Sequence, residues 1–329
     1  AKTFQVHALK PAAKFFRVVY TNGSAAQSLF RLQCIFHSSA GVVLTTRGGQ
    51  HQSTVDATPT RQTTEIDLDF ARKHIPGGRS FFFFGHNNAL QSNVFEDVWE
   101  GGGDIQWQTA AAKIKIKSTH AADTATGPGL GLQSVEIHGL DSTGADIEEV
   151  LDLAGTTPGE SVNEYLRVNL VHNEEVGTYG GSHQGTIEWR VTNATFGNGA
   201  LLGQMSGLEG AADSSVQFGY GEAQNGFTSV PLGKVLYITR LEVVPKANKG
   251  INVILYERDG LTTISDPFQP RRIIWSAEEL EAPIEKEFKS HIKIKALADL
   301  WFRAEGVGAV SGVDVELDYY LVDADATGA

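Results

Sequence analysis

Apolar and polar residues alternate with a period of two along most of this chain, the spacing of a strand with one buried face. Residues 113–118 (KIKIKS) place Ile114 and Ile116 on one side and Lys113, Lys115 and Lys117 on the other. Residues 313–322 (VDVELDYYLV) do the same with acids: Val313, Val315, Leu317 and Tyr319 face inward, and Asp314, Glu316 and Asp318 outward. Further strands are predicted at 104–107, 133–138, 146–153, 165–173 and 185–193, then at 226–230, 235–244, 250–258, 291–296 and 299–304. Near the N-terminus, 14–20, 29–37, 41–46 and 63–70 read as strands around a polar loop at 47–61. Clusters of Gly, Asn, Asp and Pro punctuate them, among them 127–131, 139–144, 156–159, 231–233 and 247–250.

Helical periodicity is confined to two short stretches, 70–74 and the acidic run 276–280. The pattern predicts an all-β chain with two antiparallel β-sandwich domains of jelly-roll type, at 86–200 and 216–329. A smaller N-terminal β-domain at 1–85 precedes them as an attachment region, and the Gly-, Ala- and Ser-rich 201–215 reads as a linker. A length of 329 residues suits such a division into domains of about 100 residues each.

One strand departs from alternation. Phe81, Phe82, Phe83 and Phe84 put aromatic rings on both faces. Either the fold covers both faces or one of them meets a partner, which makes these four residues the candidate interface.

Composition narrows the function. The formal net charge of −12 repels phosphate and argues against general nucleic-acid binding. No run reaches the ~18 apolar residues of a membrane span, and the first residues lack the apolar core of a secretory leader. A protein made in the cytoplasm is expected. Cys34 is alone, excludes an intrachain disulfide and reads as a small core residue.

Signals of chemistry are weak. Glu96, Asp97 and Glu100 surround Trp99, but a glycosidase pair needs two carboxyls about 5 to 9.5 Å apart across a cleft, and neighbours on a strand point to opposite faces. Residues 127–131 (GPGLG) lack the Lys-Ser/Thr helix of a phosphate loop. Asp141–Asp146 reads as a hairpin turn in place of a calcium loop. The ten His show no pair at i, i+2 or i, i+4, and no G-x-S-x-G elbow occurs. No catalytic residue, cofactor site or metal site is therefore assigned, and the chain is expected not to be an enzyme.

Several pieces in order carry a resemblance: 85–103 (GHNNALQSNVFEDVWEGGG), 118–123 (STHAAD), 127–139 (GPGLGLQSVEIHG), 148–155 (EEVLDLAG), 165–169 (YLRVN) and 231–241 (PLGKVLYITRL). Over roughly 85–325 the chain resembles a group of uncharacterised virion structural proteins of marine and other tailed bacteriophages. The resemblance implies a virion component: an oligomeric capsid-decoration, head-fibre or tail-associated protein that docks on the particle. The partners it implies are copies of itself, as a homotrimer by analogy with phage fibres, and other capsid or tail proteins. The alternative is a receptor-binding tail protein that stacks host-surface glycan on Trp99, Trp107 or Trp275.

Overall fold

The computed structural model describes Phe70, Arg72 and residues 77–126, 130–207, 221–246, 250–264 and 266–324. The strands expected before residue 70, the polar loop 47–61, Cys34, the turn residues 127–129 and most of the 201–215 linker lie outside the described residues. The chain divides into two compact units, 1–61 and 62–329, and the described residues all belong to the second.

Its described residues form an almost wholly β structure whose sheets are antiparallel. Its strands, in chain order, are β1 (Arg79–Leu90), β2 (Glu96–Asp97), β3 (Ile114–Ser118), β4 (Leu132–Leu140), β5 (Asp146–Asp152), β6 (Gly159–Glu160), β7 (Arg167–Val176) and β8 (Ile187–Val191). They continue as β9 (Leu201–Met205), β10 (Phe227–Ser229), β11 (Lys234–Pro245), β12 (Ile251–Asp259), β13 (Arg272–Leu280), β14 (Ile284–Ile294), β15 (Ala298–Gly306) and β16 (Ser311–Asp323).

Four sheets result, with the orders β1-β16-β11-β14, β10-β15-β12-β13, β6-β3-β8-β9 and β5-β4-β7; β2 adds to β15. The first two share one hydrophobic cluster. Phe83, Leu236, Leu241, Val315 and Leu317 come from one sheet, and Val253, Leu255, Leu300 and Phe302 from the other. The last two share a second cluster, built on Ile114, Ile116, Ile187 and Trp189 against Leu132, Val135, Ile137 and Val171. Burial of apolar surface at about 25 cal/mol per Å² makes such clusters the main stabilising term.

Alternation predicted the best-defined strands. β3 buries Ile114, Ile116 and Ser118 and leaves both intervening lysines half-buried. β16 buries Val313, Val315, Leu317, Tyr319 and Tyr320 and half-buries Asp314, Glu316 and Asp318. It lies between β1 and β11, in the interior of its sheet.

Three features differ from the sequence reading. The acidic run 276–280 forms part of strand β13, paired with β12 through Val253↔Ala277 and Leu255↔Trp275. Pairing to a core strand outweighs the weak helical preference of five local residues. Residues 104–107 form no ladder; their backbone is held by side chains, as when Ile105 N–H donates to Asp97 Oδ2 at 2.8 Å. β1 runs through residue 85 and pairs along its length with β16, so 79–90 shares a sheet with the C-terminal strands.

Candidate functional site

The four phenylalanines of β1 do not behave alike. Phe83 is buried in the first cluster, edge-on to Phe302 at 6.1 Å. Phe81 stacks on Tyr319 at 5.9 Å yet stays 37% exposed. Phe82, on the opposite face, is 59% exposed, and Phe84 is half-buried. Among the described residues β1 pairs only with β16, so it ends its sheet. An edge strand with open aromatic rings is a ready surface for a second chain.

The outer face of the same sheet is ionic. Arg240 lies within ion-pair distance of Glu242, Glu285, Glu316 and Asp318. Burial lifts the Glu316 carboxyl above its ordinary range, against the pull of Arg240. Ion pairs this close to water add little stability. They do set a charge pattern beside the aromatic edge.

The tryptophans singled out for glycan stacking are packed against protein. Trp99 is 3% exposed and its Nε1–H donates to Gly103 O at 2.9 Å. Trp107 meets Phe227 and Trp301 edge-on at 5.6 and 5.5 Å, with the Arg167 guanidinium 5.0 Å from its ring. Trp275 packs partly buried against the first cluster. A cleft of about 20 Å³ beside Trp107, lined by Gln108, Arg167 and Phe227 among others, has room for roughly one water.

The carboxylates around Trp99 are committed to the backbone. Glu96 accepts from the N–H groups of Gln91 and Gly103, both at 2.7 Å. Glu100 Oε1 accepts from Ser206 N–H at 2.8 Å. They clamp loops. Asp141 likewise closes the β4–β5 turn, accepting from Thr143 and Ala145 N–H.

One cluster escaped the sequence reading. Glu136 and His138 sit two apart on β4, and His172 lies opposite Glu136 on β7. The two His Nε2 atoms are 3.3 Å apart. Glu136 Oε2 is 3.1 Å from His172 Nε2, and its Oε1 is 3.5 Å from His138 Nε2. The Glu-x-His spacing was the available signal, but only register supplies the second histidine.

No protein-family model and no curated protein matches the chain. Among solved structures, that of infectious bursal disease virus Gx strain is similar at 12% identity and a TM-score of 0.21, covering 76% of this chain and 72% of that one. The Gt strain gives 8% identity, a TM-score of 0.17 and coverage of 77% and 78%. The VP2 subviral particle of that virus gives 10%, 0.15, and 77% and 78%. TM-scores of this size do not carry a fold assignment.

Proposed function

We propose that this chain is a structural component of a virion. Its paired sheets act as β-sandwiches that associate with copies of the chain and with neighbouring capsid or tail proteins. Its role is burial and shape complementarity, with no bond-making chemistry. Within a phage particle, a capsid-decoration, head-fibre or tail-associated position fits the sequence resemblance.

The observation that carries this reading is the aromatic edge of β1, where Phe82 stands 59% exposed on the end strand of its sheet. The ionisable groups around Trp99 support it, because they are spent on holding loops. The test is to find the chain in purified particles by mass spectrometry, with its copy number, and to weigh the isolated protein in solution. A fixed stoichiometry per particle and a homo-oligomer, a trimer by expectation, support the proposal. A chain missing from particles and monomeric at high concentration overturns it.

A further inference from the structure

We propose that Glu136, His138 and His172 bind one zinc ion. Zinc bonds of about 2.0–2.1 Å at tetrahedral angles separate neighbouring donor atoms by about 3.3 Å. The two Nε2 atoms are 3.3 Å apart, and Glu136 meets them with different oxygens, Oε2 at 3.1 Å from His172 and Oε1 at 3.5 Å from His138. One donor atom from each of the three side chains lies within 4.8 Å of the other two, close enough for one ion to draw them together. The imidazole centroids are 5.3 Å apart, beyond the 3.3 Å between the Nε2 atoms, so the two rings bring their Nε2 edges together.

The outer nitrogens fix the tautomers. His172 Nδ1 lies 3.1 Å from Asn173 O, which can only accept, so in the neutral ring Nδ1 carries the hydrogen and Nε2 the lone pair. His138 Nδ1 lies 3.3 Å from Glu148 Oε1, an arrangement with the same consequence. In those tautomers both Nε2 lone pairs lie beside the Glu136 carboxylate, where one cation could take all three donors. A histidine that donates its far N–H to a carboxylate or carbonyl is the usual support for a metal ligand. Two imidazoles and one carboxylate suit zinc better than magnesium or calcium, which prefer all-oxygen shells.

The ligands are 24–28% exposed, which leaves the outer side of the ion open to water as fourth ligand. The ion would tie β4 to β7. His172 also bridges to Glu222, so the same ion would fix the segment that leads into β10.

The test uses the full chain, stripped of metal by chelation and titrated with zinc chloride by calorimetry. One zinc per chain is expected, with a rise in melting temperature because the ion binds only the folded arrangement. Cobalt in the same site should give the visible absorption of a tetrahedral centre. His172→Ala should weaken zinc at least tenfold and abolish the thermal shift. Glu148→Gln, which reaches the site only through His138, should weaken it about tenfold and serves should the histidine variant not fold. No saturable binding to the wild-type chain, or binding unchanged in both variants, overturns the proposal.

Discussion

Arg167 and Asp299, 132 residues apart in sequence, form a buried two-pronged ion pair. Arg167 Nε–H and Nη2–H donate to Asp299 Oδ1 and Oδ2, each at 2.9 Å. The pair joins β7 of one sheet pair to β15 of the other. Ser229 Oγ–H adds a bond to Asp299 at 2.6 Å, and Arg167 Nη1–H donates to Gln108 O and Leu166 O. Both side chains are less than 10% exposed, so removing one partner strands the other charge away from water. Asp299→Ala is expected to lower unfolding free energy by about 3–5 kcal/mol, read by urea denaturation. Arg167→Met combined with Asp299→Leu should recover much of that loss. A single variant within 1 kcal/mol of wild type would show that the pair does not hold the sheets together.

Phe82 and Phe83 are neighbours with opposite duties, and substitution should separate assembly from stability. Phe83→Ala opens a hole beside Phe302 and Tyr319 and is expected to destabilise by about 3–5 kcal/mol. Phe82→Lys touches an exposed ring and should leave the melting temperature nearly unchanged while reducing self-association. Analytical ultracentrifugation across a concentration series reads the second effect. Equal oligomer formation by wild type and Phe82→Lys would remove β1 from the interface.

Much of this architecture was legible because single strands carry their own register. From Val313 to Tyr319 in β16, acids and apolar residues alternate, so inward and outward faces could be named residue by residue. β13 was not legible. It ends its sheet, its exposure is mixed, and its acidic 276–280 imitates the first turn of a helix. The mate of β1 was equally hidden, since pairing Phe83 with Leu317 spans most of the chain. The histidine cluster fails to show for the same reason: 34 residues separate His138 from His172, and only the β4–β7 register closes the gap.

Gly85 and Gly226 meet backbone to backbone where β1 passes the segment leading into β10. A Cβ on Gly85 would fall 2.3 Å from Gly226 Cα and 2.8 Å from Val315 Cγ2. A Cβ on Gly226 would fall 2.5 Å from Val98 O. Neither backbone neighbour can rotate away. Gly85→Ala should therefore destabilise by about 1–3 kcal/mol or more, whereas Gly197→Ala, with open space around its Cβ, should stay within about 0.5 kcal/mol. Thermal melts of the two variants side by side check this. Equal melting temperatures would mean that β1 is free to move away from residue 226.

Asp97 should make stability fall as pH rises through the weakly acidic range. Burial pushes its carboxyl from an ordinary 3.8 up to about 6, even though Ile105 N–H and Arg303 favour the charged form. The folded chain then holds this proton more tightly than the unfolded chain. Its contribution is complete below about pH 4 and is lost as pH climbs to about 6; above that the profile is flat. The full difference corresponds to about 3 kcal/mol. Glu100 is raised in the same direction by burial and adds to the slope. Asp97→Asn cannot ionise, so its urea-derived stability between pH 4 and 6 should decline less steeply than wild type. Adding Glu100→Gln should flatten the curve further. A slope unchanged in Asp97→Asn would mean that Arg303 keeps this carboxyl ionised in the folded chain throughout the range.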